Sequence, residues 1–163
     1  MVRFAWGLRV YYEDTDLAGI VYYANHLRYM ERARTEWLRS LGCEQDALLA
    51  EIGAVFVVVR ANLEYKLPAR FNDVLVLTVG IASMGRASVV VRQDVYRGAD
   101  GTPVGALERD FARYFPKESG GADASVSRHL VCSGEIRIAC VRADTLYPCP
   151  IPEPIYAELS REH

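Results

Sequence analysis

The chain has 163 residues, half of them hydrophobic and a quarter charged, which fits one globular domain. With a formal net charge of -2 and a pI of about 5.9, it offers no global basic surface to draw nucleic acid. No apolar run is long enough to span a bilayer, and MVRFAWGLRVYYEDTD lacks the apolar core and cleavage site of a secretory signal, so the expected compartment is the cytoplasm.

Arg3 to Tyr12 is predicted as a first strand, with aromatic and branched residues in partial alternation. Glu13 to Gly19 breaks that period, and Asp14, Thr15, Asp16 and Gly19 are turn and cap formers. Glu13 still reads as the end of the strand, and Asp14 as a cap. A long amphipathic helix follows. Tyr23, Leu27, Met30, Ala33, Trp37 and Leu41 recur at a spacing of three and four. The helix starts at Tyr22 or is capped by Asn25, and Gly42 ends it. Asp46 to Glu51 suggests a short second helix.

Three strand patterns come next: Ala54 to Tyr65, Asp73 to Ser83 and Ser88 to Arg97, the last two joined by a hairpin at Met84-Gly85-Arg86. Residues 106–115 read as a short helix or an irregular strand, and 117–127 as a flexible loop. Glu135 to Arg142 alternates cleanly and is the last strand. The proline-rich tail is extended, with a helical turn from Ile155 to Ser160. The cysteines, Cys43, Cys132, Cys140 and Cys149, form no C-x-x-C pair, and the histidines are scattered. No metal site is expected, and the thiols should be reduced, Cys140 within a strand.

One helix and a run of antiparallel strands make an α+β fold over residues 1–163. The sheet should wrap the helix, and its edges offer strands that a second copy can pair.

The segment EDTDLAGIVYYANHLRYMERARTEWLR is joined by FVVVRANLEYKLPARFNDVL and by GEIRIACV leading into the PIP segment. Together they resemble hotdog-fold acyl-CoA thioesterases of the 4-hydroxybenzoyl-CoA thioesterase family, and among these the Tol-Pal-associated enzymes of bacteria. The resemblance implies a hotdog fold, and hydrolysis of short-chain or aromatic acyl-CoA to a free acid and CoA. It implies a homodimer or homotetramer with no cofactor, coenzyme A being part of the substrate.

The family's catalytic aspartate falls on Asp16. A carboxylate just ahead of a helix can attack a thioester carbonyl or serve as base for a water. Read without the family, a turn acid or helix cap is the favoured reading of it. The family's carbonyl donor is the backbone N–H at Tyr23, at the positive end of the helix. Gly19 would let backbone and substrate approach closely. Relatives often carry histidine at the position of Tyr23. His26 either compensates or is a solvated surface residue. Glu31 orients a water or neighbour near the site, or makes a helix-face or intersubunit contact. Arg34 reads as an ion-pair residue. Arg60, Lys66, Arg70 and Arg86 are candidates for the CoA phosphates, each alone also an ordinary surface charge. The 104–133 segment is an insertion relative to the family.

Two other readings remain. Hydration or dehydration of acyl thioesters on the same fold usually needs a histidine in the turn, which is absent. A binding or scaffold role would join the protein to acyl carrier protein or to cell-envelope lipid-synthesis partners. A serine hydrolase is excluded, since Gly80 to Gly85 has the wrong spacing for a nucleophile elbow.

Overall fold

The computed structural model describes residues 4–98, 103–105 and 129–163. Five antiparallel strands form one sheet in the order β1-β3-β4-β5-β2. They are β1 (Phe4–Arg9), β2 (Ala54–Tyr65), β3 (Val74–Met84), β4 (Ser88–Arg97) and β5 (Leu130–Arg142). The helices described in full are α1 (Asn25–Ser40), α2 (Gln45–Ile52) and α3 (Glu153–Glu162). This is the α+β layout predicted from the sequence. No described helix is long and apolar enough to cross a membrane.

The core lies between α1 and one face of the sheet. Tyr29, Met30, Ala33, Trp37 and Leu38 of α1 share it with Leu75, Leu77 and Val79 of β3, Val89, Val91 and Val95 of β4, and Ile136 and Ile138 of β5. The period of two on each strand puts these residues on the helix side. Burying each large apolar side chain contributes roughly 1.5–3 kcal/mol.

Position 93 of β4 belongs to the same buried row, yet it is a glutamine with no exposed surface. Gln93 accepts a hydrogen bond from Arg34 Nη1 at 2.8 Å and donates one to the Met30 carbonyl at 3.0 Å. Burial lowers the pKa of Arg34, and the nearby Glu31 charge opposes that shift. The core thus holds one guanidinium against a neutral amide. Gly134, paired with Gln93, lies beneath the helix. A Cβ there would stand 2.8 Å from Met30 Cε, so glycine lets α1 settle onto β5.

Several elements differ from expectation. β1 stops at Arg9, because Tyr11 donates its N–H to the Asp14 carboxylate and the chain turns into a 3-10 helix over Tyr12–Asp14. Glu13 is therefore in that turn rather than in the strand. α1 begins at Asn25. Its buried side is His26, Tyr29, Met30, Ala33, Arg34, Trp37 and Leu38. Leu27, expected inside, is 40% exposed, while His26, read as compensating or solvated, and Arg34, read as an ion-pair residue, are buried. β5 starts at Leu130, so Leu130 to Ser133, expected in the insertion, are strand residues paired with β4 and β2. α3 runs from Glu153 to Glu162, longer than the turn expected, with Pro152 as its N-cap. Of the insertion expected at 104–133, residues 106–128, including the element at 106–115 and the loop at 117–127, lie outside the described residues.

Candidate active site at the start of the long helix

β1 hands the chain to this site through Val10. Its N–H donates to the Asp73 carbonyl at 2.9 Å, and its carbonyl accepts from Asn72 at 3.0 Å. Asp14 then fixes the path. Its Oδ2 accepts the Tyr11 N–H at 2.8 Å, and its carbonyl accepts both the Tyr22 N–H and the Asn25 side-chain amide at 2.9 Å. Asp14 thus ties the 3-10 turn to the first residue of α1. Asn25, weighed as a cap, instead anchors the helix to this turn, and Ala24 is the N-cap.

Between those ties the chain makes a small closed loop. Thr15 and Val21 form an antiparallel bridge. Inside it, the Asp16 N–H donates to the Ile20 carbonyl at 3.0 Å, and the Gly19 N–H to the Asp16 carbonyl at 2.9 Å. Gly19 has φ +75 with open space where a Cβ would stand. Glycine serves this turn by its left-handed conformation, not by relieving a close contact.

The Asp16 side chain is exposed at the base of the loop. Its Oδ1 accepts the Ala18 N–H at 2.8 Å. Oδ2 makes no hydrogen bond to the described residues. The loop leads to a β-turn, Tyr22 to Asn25, closed by the Asn25 N–H on the Tyr22 carbonyl at 2.8 Å. Within it, the N–H groups of Tyr23 and Ala24 make no hydrogen bond to the described residues. They stand ahead of a 16-residue helix, where free donors and the helix dipole favour negative charge.

Aromatic rings surround these groups. Tyr23 packs edge-on against Tyr22 at 4.9 Å and Tyr65 at 6.3 Å, and His26 against Tyr65 at 5.5 Å and Tyr29 at 5.9 Å. The neighbouring Tyr23 hydroxyl raises the Tyr22 pKa most, followed by slight burial and the Asp16 charge, so Asp16 lies within electrostatic reach of the turn. His26 is 3% exposed, and burial pushes its pKa down to about 4. Its Nδ1 is buried without a hydrogen-bond partner. It is a neutral core ring, not the solvated histidine expected. Burial first, and then the charge of Asp14, raises the pKa of Tyr29.

The other candidates are spread along the molecule. Glu31 accepts a hydrogen bond from Thr35 Oγ1 at 2.8 Å, one turn on, and makes no hydrogen bond to the Asp16 loop. Arg70 is beside the loop: it bridges Ile20, and the Ala69 carbonyl accepts the Val21 N–H at 2.8 Å. Lys66 follows Tyr65 at the same end of the sheet and pairs with Glu64. Arg60 lies farther along β2, paired with Glu135 at 3.1 Å. Arg86 is in the β3–β4 hairpin, at the opposite end of β3 from Asp73 and Arg70. Among the described residues, no three of His, Cys, Asp and Glu are grouped to hold a metal ion.

Comparison with known proteins gives these residues a setting. The Thioesterase superfamily model matches residues 18–104. The acyl-CoA thioester hydrolase YbgC of Escherichia coli is 35% identical over 158 residues, 97% of this chain and 96% of that protein. The acyl-CoA thioesterase YbgC of Haemophilus influenzae is 39% identical over 94 residues, covering 58% of this chain and 69% of its own. The chain belongs to the thioesterase superfamily.

It is a thioester hydrolase of the hotdog fold, as the segment from Glu13 to Arg39 implied. Solved structures agree on the fold. Protein TT1821 from Thermus thermophilus superposes with a TM-score of 0.76 at 24% identity, covering 99% of this chain and 100% of its own. A 4-hydroxybenzoyl-CoA thioesterase variant bound to 4-hydroxybenzoyl-CoA superposes with a TM-score of 0.74 at 21% identity, covering 95% and 96%.

Against this thioesterase setting, two residues at the site were missed in the sequence. Tyr65 donates its hydroxyl to the Tyr23 carbonyl at 3.0 Å across 42 positions of sequence. Local pattern carries no signal for such a contact. Asn25 was noticed only as a cap. Its proximity to the D-T-D run could have suggested that it reaches back to Asp14.

Proposed function

We propose that the protein hydrolyses acyl-CoA thioesters, with Asp16 as the catalytic carboxylate and the Tyr23 N–H as donor to the thioester oxygen. The observation that supports this most is one carboxylate oxygen and one helix-start N–H, neither hydrogen-bonded to the described residues, on either side of a loop closed by the Thr15–Val21 bridge. Asp16 either attacks the carbonyl carbon or removes a proton from a water that attacks it. Negative charge collects on the carbonyl oxygen, where the free N–H receives it. The C–S bond then breaks, CoA leaves as the thiol after taking a proton, and water supplies the oxygen of the free acid. If Asp16 is the nucleophile, it displaces the CoA thiolate to give an acyl-aspartate, and that one water opens the anhydride, restoring the Asp16 carboxylate and supplying the proton that the thiolate takes up.

The rings of Tyr22, Tyr23 and Tyr65 favour a short or aromatic acyl group beside the turn. Arg70 and Lys66, at the same end of the sheet, are the best placed of the four cations for CoA phosphates in one chain. Arg60 and Arg86 would require another subunit. Gly19 holds the loop, and Glu31 braces the helix through Thr35. No metal or redox cofactor takes part in these steps, and CoA enters only with the substrate.

The surface supports a homodimer, or a tetramer of such dimers, as the assembly we propose. β2 is an edge strand with Val58 and Val59 more than half exposed, and Leu17, Tyr23 and Phe71 are exposed around the site. Pairing β2 with its copy would cover an edge that otherwise invites aggregation. The cytoplasm, where acyl-CoA is made, is the compartment we propose.

A thiol-release assay over a panel of short, long and aromatic acyl-CoAs tests the reading. Release above the uncatalysed rate, strongest for short or aromatic groups, is expected. Rates at background across the panel, with clean binding to acyl carrier protein, would move the reading to a scaffold.

A further inference from the structure

Building on that reading of Asp16 and the Tyr23 N–H, we propose that Tyr65 is a positioning residue for the thioester carbonyl, its hydroxyl fixing the Tyr23–Ala24 peptide that carries a second free N–H. The Tyr22–Asn25 turn is closed by the bond between its end residues. Its central peptide, Tyr23–Ala24, is the unit that bond leaves free to flip between type I and type II turns. Ala24 has φ -70 and ψ -21, the type I side. Type II would need a φ of about +80 there. In the type I form successive N–H groups run nearly parallel, as in the first turn of a helix, so the Ala24 donor accompanies that of Tyr23.

The carbonyl of this peptide is not spent on the helix. Leu27, the residue that would normally reach it, donates to the Ala24 carbonyl instead, at 3.1 Å. The Tyr23 carbonyl accepts the Tyr65 hydroxyl at 3.0 Å. This bond comes from the last residue of β2, so it ties the turn to the sheet. It acts on the Ala24 N–H in two ways. It holds the orientation of the peptide, and by drawing charge to the carbonyl end it makes the N–H end a stronger donor. The Tyr65 ring is itself held edge-on by His26 and Tyr23.

Tyr65→Phe keeps the ring and removes only the hydroxyl. With benzoyl-CoA we expect KM within about two-fold of the parent, kcat lower by roughly three- to ten-fold, and a melting temperature within a few degrees, the size of one net hydrogen bond. An infrared measurement separates positioning from packing. Asp16→Asn should hold bound benzoyl-CoA unhydrolysed. Adding Tyr65→Phe should move the carbonyl stretch of that bound thioester back toward its value in water. A kcat within two-fold of the parent overturns the proposal, and so does a lower kcat with an unmoved carbonyl stretch. An inactive Asp16→Asn beside a parental Tyr65→Phe removes the role of Tyr65 alone. An Asp16→Asn enzyme with the parental rate removes the reading of Asp16, and kcat of Tyr65→Phe then still decides the role of Tyr65.

Discussion

Two neighbouring stretches of this chain treat their polar groups in opposite ways. Along the buried side of α1, Arg34, Gln93 and the Met30 carbonyl meet one another inside the core. Ahead of the helix, an oxygen of Asp16 and the N–H groups of Tyr23 and Ala24 make no hydrogen bond to the described residues. Unpaired groups are costly in a core and cheap at a solvated turn, where a substrate can use them. The first stretch specifies how the helix sits. The second keeps donors and acceptors unspent. Variants in the first should therefore change stability, and variants in the second should change turnover.

His26 gives the largest effect expected on the stability side. In the folded protein it stays neutral down to about pH 4, while in the unfolded chain it takes up a proton near pH 6.5. Between those values only the unfolded state is protonated. Stability is therefore full above about pH 6.5 and falls as pH drops toward 4, by roughly 3 kcal/mol in all. His26→Phe should flatten that part of the curve. Urea unfolding of both proteins at several pH values checks it, and equal slopes would contradict the burial of His26.

Gln93→Leu comes next. It strips the partner from the Arg34 guanidinium and from the Met30 carbonyl, and should cost about 2 kcal/mol. Thermal unfolding measures the loss. The turnover of the protein that remains folded should hold, because nothing in the Asp16 loop rests on Gln93. A fall in kcat at unchanged stability would contradict the separation of core from turn.

The smallest effect concerns the two ends of the sheet. Arg70→Ala should raise KM for an acyl-CoA by about two- to five-fold and spare kcat, as expected for one exposed charge near phosphates. Arg86→Ala, at the other end, should leave both unchanged if the phosphates are bound within one chain. Steady-state kinetics on the two variants decides, and a larger effect at Arg86 would point to a CoA site shared between subunits.

Much of the fold was legible because alternation and hairpin turns are local. The boundaries of β2 and β4 match their predicted spans, and β3 is offset by a single residue. The phase of α1 was harder. A stripe drawn through apolar residues runs along Tyr23, Leu27 and Leu41, whereas the buried side takes in His26 and Arg34. Those two are polar by type, and only tertiary partners allow them inside. β5 extends ahead of its predicted start at Glu135 and through Gly134, where the absence of a side chain makes room for Met30. At the candidate site, the family's motif singles out Asp16 and Tyr23, whose roles are proposals. It does not single out Tyr65, whose contact depends on how β2 lies against the turn.

The most direct measurement is hydrolysis of benzoyl-CoA by Asp16→Asn beside the parent, with melting temperatures taken on both. The exposed carboxylate contributes little to the fold, so the variant should melt within a few degrees of the parent. Its kcat/KM should fall by about a hundred-fold or more, the scale on which a positioned acid or base acts. A variant as stable as the parent that still hydrolyses the thioester at a comparable rate would contradict the assignment of Asp16.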